Sequence, residues 1–259
     1  MLYSCLLEER DTAFYLRILV SKFLRISVPD ARKIVEPLRG ESNDTFLSSI
    51  QKHHSTYIKK EKSAKWLYNS NHTYFNKILQ DFNINNTQYY LDFGCGDGYK
   101  SKVIGDILHI PSDNIYGLDI NPSNNKNIVN NINIVEYDGI HIPTNIINKP
   151  FDFITCFQVL HHIEENNIKS ILKDLISTLS IGGLFLLKEH DCSTESMKLL
   201  VNLQHIFYDI DTKVNYPVFT YYSKQQWIDL FEHLNMKPIA EKEDSQQTAT
   251  FYILFRKIQ

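Results

Sequence analysis

Glycine recurs at every second position of the chain from Gly94 through Gly96 to Gly98, with Asp92 just ahead of this turn and Asp97 inside it. Tyr89 to Phe93 are of strand-forming type, and a helix-like stretch follows from Tyr99. A glycine turn between a strand and a helix aims backbone N–H groups, and the positive end of the helix dipole, at an anionic group. Two ligand classes use such a turn: a dinucleotide through its pyrophosphate, and S-adenosylmethionine through its carboxylate.

Spacing and charge separate the two. A dinucleotide turn wants G-x-G-x-x-G, the third glycine letting helix and strand pack closely. Counted from Gly94 that position is Tyr99, and from Gly96 it is Ser101, so the fit fails on either count. Two like unit charges about 4 Å apart near a protein surface repel by about 4 kcal/mol at an effective dielectric of about 20, which sets Asp97 against a phosphate. A ligand with an ammonium and a sulfonium is instead attracted by Asp92 and Asp97. Downstream, Asp119 closes the second strand-like run, the place of a carboxylate that accepts bonds from both ribose hydroxyls. Asp138, in VEYDG, closes the third, in reach of an adenine amino group. Cys95, Ile120 and Gly139 flank these residues and complete the candidate cofactor wall.

Strands alternating with helices must position these residues. From Tyr89 onward the β-rich runs YYLDF, NIYGLDI, NINIVEYD, FDFITCF, GGLFLLKEH, KPIAEK and TATFYILFRKI are separated by helical stretches, the pattern of a mainly parallel doubly wound sheet. The last two runs lie close together, as an antiparallel hairpin would. Before residue 88, TAFYLRILVSKFLRI, NDTFLSSIQKHHSTYIKKEKSAKW and HTYFNKILQDF space apolar residues at three and four, so this part is expected to be helical. The expected organisation is a helical region over 1–88 and an α/β domain over 89–259. Asparagine-dense NPSNNKNIVNNIN reads as turns.

Composition bounds the function classes. The 259 residues are 43% hydrophobic and 22% charged, a globular make-up with a formal net charge of −3 that advertises neither nucleic acid nor membrane. No stretch reaches the roughly 18 apolar residues of a membrane span, and the charges in LYSCLLEERD come too early for a secretory signal. Cys5, Cys95, Cys156 and Cys192 show no paired spacing, so neither a disulfide framework nor a metal cluster is expected, and a reducing, cytoplasmic setting is. The asparagine, isoleucine and lysine bias suits an AT-rich genome, such as that of a large DNA virus or a protist; a viral product would work in host cytoplasm.

From roughly Tyr89 to Gln259 the sequence resembles the class I S-adenosylmethionine-dependent methyltransferases of the type 11/12-like branch. Asp92-Phe-Gly94-Cys-Gly96-Asp-Gly98 resembles the first motif, Asp119 and Asp138 the ribose and adenine acids, and FDFITCFQVLHHIEE the fourth motif. The resemblance implies a Rossmann-like seven-stranded sheet of order 3-2-1-4-5-7-6 and S-adenosylmethionine as cofactor. It also implies that Phe157 and Gln158 line the cofactor's methionine part.

Methyl transfer asks mainly for alignment and desolvation, and needs a base only where the acceptor must lose a proton. Lys188, Glu189, His190 and Asp191 end the fifth strand-like run, where the acceptor is expected. His190 is the candidate proton acceptor, with Glu189, Asp191 or His205 as orienting partners. His161 and His162 are expected to line the pocket. Tyr208, Tyr216, Phe219, Tyr221, Tyr222 and Trp227 either stack on a base, enclose an apolar acceptor or belong to the core.

The acceptor is RNA, including cap-like ends, or a small molecule. RNA ribose 2′-O methyltransferases use a lysine-aspartate-lysine-glutamate tetrad. Lys188 matches one lysine, but Cys156-Phe157-Gln158 occupy the aspartate's place, and no Asn-Pro-Pro-Tyr-type sequence for a base amino group follows the fourth run. The stretch KHHSTYIKKEKSAKW, with Lys52, Lys59, Lys60, Lys62 and Lys65 against Glu61, offers contacts to RNA phosphates or a solvated face. The helices there are equally suited to lid the site or hold a partner protein. Two rival readings are a non-catalytic methyltransferase-fold subunit and a nucleotide-dependent oxidoreductase, the latter opposed by the missing third glycine.

Overall fold

The computed structural model describes residues 2–54, 64–122, 132–212, 217–244 and 249–259. Lys59, Lys60, Glu61, Lys62 and Tyr216, named above, lie outside these residues, and so do most of the asparagine-dense stretch and the side chain of Lys65. The chain forms two compact units, neither of them continuous in sequence. One comprises Met1–Glu61, His190–Lys224 and Glu243–Phe251; the other comprises Lys62–Glu189, Gln225–Lys242 and Tyr252–Gln259. Part of the expected N-terminal helical region, the helix Ala64–Asp81, thus groups with the sheet.

The first unit is mainly helical. After a 3-10 turn at Tyr3–Leu7 come α1 (Arg10–Leu24), α2 (Val28–Val35) and α3 (Asn43–His54). The Ser27 hydroxyl caps α2 by accepting from the Asp30 N–H, and Pro29 lies in the first turn, where a missing N–H costs nothing. Leu16, Val20 and Leu24 repeat every fourth residue and form one face of α1. That face is buried with Ala31, Val35, Phe46, Ile50 and, from the helix Glu195–Thr212, Leu200, Leu203 and Phe207. Phe23 is stacked between Phe207 and His54, at ring-centroid distances of 4.3 and 4.4 Å.

The second unit begins with α4 (Ala64–Asp81) and continues through β1 (Tyr90–Phe93), α5 (Tyr99–Ile107), β2 (Ile115–Asp119) and β3 (Asn133–Glu136). Next come the short α6 (Thr144–Ile147), β4 (Phe151–Phe157), α7 (Glu165–Thr178) and β5 (Leu179–His190). The helix Glu195–Thr212 is α8, followed by α9 (Lys224–Glu232), β6 (Met236–Glu243) and β7 (Thr250–Lys257).

The strand order is β3-β2-β1-β4-β5-β7-β6, as expected from the resemblance. β3, β2, β1, β4 and β5 pair in parallel. β7 runs against both neighbours. Asp244 N–H bonds the Thr250 carbonyl at one end of the hairpin and Ile258 N–H bonds the Asn235 carbonyl at the other, while Lys257 reaches the Leu179 carbonyl and Asp191 N–H the Ala249 carbonyl.

Strand β1 is buried along its whole length, as expected of a central strand covered on both faces. Gly105 of α5 takes the place of the missing third glycine: a Cβ there would stand 2.1 Å from Ile115 Cδ1 of β2. Close helix-to-strand packing is therefore kept, further along the helix than a dinucleotide turn would put it.

Candidate active site

The glycine turn leaves β1 and opens α5. Gly94 N–H donates to the Leu118 carbonyl at 2.7 Å, which ties the turn to β2. Gly94 has φ +78°, and a Cβ on it would stand 2.0 Å from Val159 Cγ2. Val159, in the loop after β4, is therefore closed down on the turn. Asp97 Oδ1 accepts from the Tyr99 N–H at 3.0 Å, placing a carboxylate at the start of α5. That charge occupies the place where a pyrophosphate would be drawn to the helix end.

Asp92 lies behind the turn. Its side chain is buried, Oδ2 accepting from Ser101 Oγ at 2.6 Å and Oδ1 from Thr155 Oγ1 at 2.7 Å. The register explains the second bond, since Asp92 and Thr155 are partners across β1 and β4. Tyr90 completes the chain by bonding Thr155 Oγ1 at 2.6 Å. These bonds tie β1, α5 and β4 together below the turn, so Asp92 holds the turn in shape. Burial pushes its carboxyl up from the ordinary range, against the two hydroxyl bonds that draw it down.

Folded Asp92 accordingly holds its proton more tightly than an unfolded aspartate. The folded state is favoured in acid, and that advantage is lost as pH rises through the raised folded value. Asp92→Asn keeps the shape and removes the buried charge. It is expected to melt above the wild type at pH 7, the gain shrinking as pH falls through the raised folded value toward the ordinary carboxylate range. Thermal melts at pH 7 and pH 4 check this, and a variant that melts lower at both contradicts it.

Asp119 ends β2 and folds back on the turn. Oδ2 accepts from the Gly96 N–H at 2.8 Å and Oδ1 from the Asn121 N–H at 2.9 Å. Each carboxylate oxygen has a second lone pair for a ligand hydroxyl. Beside it, Ile120 is 55% exposed, an apolar surface next to a charged one. Asp138 is exposed, and its oxygens accept from the His141 ring and from the backbone N–H groups of Ile140 and His141. The imidazole first, then the two N–H groups, hold its carboxyl well below the usual range. Gly139 follows with φ +86° and approaches Ile120 Cγ2. Cys95 is buried against Gly117, and burial pushes its thiol up, with Asp92 and Asp119 adding to the shift.

The exit of β4 supplies the next wall. The Phe157 ring lies parallel to Phe75 of α4 at 5.8 Å and edge-on to Tyr252 of β7 at 5.9 Å. Gln158 has φ +60°, a strained conformation for a residue with a side chain, and donates its N–H to the Lys188 carbonyl at 2.7 Å. Lys188, register partner of Phe157, is buried, with Nζ 3.2 Å from the Tyr74 hydroxyl and 5.0 Å from the centre of the Tyr252 ring.

The residues read as acceptor-side candidates divide between the two units. Glu189 of the sheet unit is fully buried and accepts from the Val159 and Leu160 N–H groups and from His161 Nδ1. In the helical unit, His190 is buried, with Nδ1 3.3 Å from Thr250 Oγ1 and its ring 5.8 Å from that of His205. His205 donates from Nδ1 to the Val201 carbonyl. Asp191 accepts from the Lys224 N–H at the start of α9. Trp227 is core, whereas Tyr208 and Phe219 are exposed.

Sequence reasoning did not single out Ser101, Thr155 or Val159. Thr155 was findable, because a hydroxyl in an otherwise apolar strand, FDFITCF, has to find a polar partner.

Residues 64–241 match the family model described as a methyltransferase domain. The fold is similar to that of 1,6-didemethyltoxoflavin-N1-methyltransferase from Burkholderia thailandensis, solved with 1,6-didemethyltoxoflavin and S-adenosylhomocysteine bound. That match has 12% identity and a TM-score of 0.53 over 83% of this chain and 87% of the other. N-methyltransferase NodS from Bradyrhizobium japonicum, in complex with S-adenosylhomocysteine, matches with 12% identity and a TM-score of 0.52 over 74% of this chain and 87% of its own. No curated protein matches the chain in sequence.

Proposed function

The chain belongs to the class I S-adenosylmethionine-dependent methyltransferases, and from that premise we propose that it moves the methyl group of S-adenosylmethionine to a small-molecule acceptor. The observation that carries the reading is the turn 94–98 with Asp97 over the start of α5, a site hostile to phosphate and welcoming to a cationic ligand.

The residues present fit the cofactor. Gly96 has nothing within 4 Å of the place its Cβ would take, so the turn leaves room for a ligand. Asp119 would hold the ribose, Ile120 and Asp138 the adenine, and Phe157 and Gln158 the methionine part. Bound there, the cofactor supplies a methyl group on a positively charged sulfur that is itself a good leaving group. The protein's part is then to align acceptor and methyl and to exclude water.

Two observations support a small acceptor. Cys156 is buried and Phe157 is packed between Phe75 and Tyr252, at the place where a ribose-methylating tetrad needs an aspartate. The neighbour from Burkholderia thailandensis is itself a 1,6-didemethyltoxoflavin-N1-methyltransferase, solved with 1,6-didemethyltoxoflavin bound. RNA remains the second reading, favoured by the lysines of KHHSTYIKKEKSAKW. An assay with tritiated-methyl cofactor against pooled RNA, capped RNA, protein and metabolite extracts tests both. Label in the metabolite fraction supports the first reading; label confined to RNA replaces it with the second.

Among the described residues no helix is long and apolar enough to cross a membrane.

A further inference from the structure

We propose that Glu189 is a positioning residue for the cofactor, holding the turn 158–161 closed on the glycine loop through its bonds to Val159, Leu160 and His161. The inference rests on the cofactor reading above and gives that site a residue that need not touch the ligand.

The turn 158–161 is under conflicting demands. Gln158 stands in a left-handed conformation that its side chain disfavours. Val159 must press against Gly94 so closely that no Cβ fits between them. Such a conformation persists only where the surroundings over-determine it. The end of β5 supplies the constraint. The Lys188 carbonyl takes the Gln158 N–H at 2.7 Å, Glu189 Oε1 takes the Val159 and Leu160 N–H groups at 3.1 and 2.8 Å, and Oε2 takes His161 Nδ1 at 2.6 Å. Glu189 is 0% and His161 2% exposed, so water does not compete for these bonds. A carboxylate can only accept here, so the bond to His161 requires the proton on Nδ1. The chain of contacts therefore runs from Glu189 through Val159 to Gly94, and the same turn carries Gln158, which would line the methionine part of a bound cofactor.

Glu189→Gln is the discriminating change. The amide keeps the shape but has one accepting oxygen and one donating NH2. The backbone N–H groups of Val159 and Leu160 cannot reverse their role, whereas the imidazole can. The oxygen is therefore expected to stay on the backbone and the NH2 to face His161, driving the proton from Nδ1 to Nε2. Nitrogen-15 NMR of the histidine ring reads that switch directly, without cofactor. Replacing charge-assisted bonds by neutral ones loosens the turn, and S-adenosylmethionine is expected to bind about tenfold more weakly by calorimetry.

A merely structural role would lower the melting temperature and leave affinity unchanged. Ile50→Val, a methyl deletion in the core of the helical unit, gives that pattern for comparison. His161→Gln, which keeps a donor for Oε2, should bind within about threefold of wild type, and His161→Leu, which removes it, should lose more than about fivefold. These two carry the test if Glu189→Gln does not fold. Wild-type cofactor affinity in Glu189→Gln, in His161→Leu, or a wild-type His161 with its proton on Nε2, overturns the proposal. A wild-type protein that fails to bind the cofactor at all, with His161 still protonated on Nδ1, instead brings down the cofactor reading beneath it.

Discussion

Gly94→Ala is expected to cost about 2–5 kcal/mol of stability and to abolish measurable cofactor binding. The left-handed backbone at φ +78° costs a residue with a Cβ about 1–2 kcal/mol. The added carbon, 2.0 Å from Val159 Cγ2, forces apart two segments that are each tied down, at about 1–3 kcal/mol for overpacking. Val159 cannot yield freely, because its N–H is bonded to Glu189. A melting temperature roughly 5–15 °C below wild type follows for a chain of this size. Gly96→Ala is the control. Its φ of +58° carries the same backbone penalty, but nothing lies within 4 Å of the new carbon, so about 1–2 kcal/mol is expected. Equal melts for the two variants would mean that the Val159 contact contributes nothing.

Asp119→Ala is expected to weaken S-adenosylmethionine binding by roughly 10- to 100-fold, the effect of removing charge-linked hydrogen bonds worth about 1.5–3 kcal/mol. Two losses combine. A ribose held by Asp119 would lose its acceptor, and the Gly96 N–H loses the oxygen that holds it 2.8 Å away. Asp119→Asn separates them, since an amide oxygen still serves Gly96. If the ribose bond matters more, Asn behaves nearly as badly as Ala; if the shape of the turn matters more, Asn restores most of the affinity. Titration calorimetry on the three proteins decides, and near-normal affinity in the Ala variant would show the ribose assignment to be wrong.

The turn and the elements on either side of it were legible in the sequence because their signals are local. A strand end, a glycine turn and a helix start occupy adjacent residues, and Asp119 ends β2 as its position suggested, whereas Asp138 stands two residues beyond the end of β3 at Glu136. The sheet order followed from resemblance, not from pattern: period-two and buried runs identify strands but do not say which are neighbours. What Asp92 does was less legible. Its burial under Ser101 and Thr155 depends on the β1 and β4 register, which brings Thr155 across from it.

Glu189 shows the same limit. In LKEHD it reads as one of several polar residues at a strand end, and only the three-dimensional path of the β4 exit turns its carboxylate onto residues 159–161. The grouping of α4 with the sheet unit and of residues 190–224 with the N-terminal helices was also out of reach, since both rest on contacts between segments far apart in the chain.

Calorimetric titration of the full-length wild-type protein with S-adenosylmethionine, repeated with NADH, tests the central claim most directly. The account predicts saturable one-to-one binding of the sulfonium compound and no heat from the dinucleotide. Binding of NADH with none of S-adenosylmethionine would contradict it.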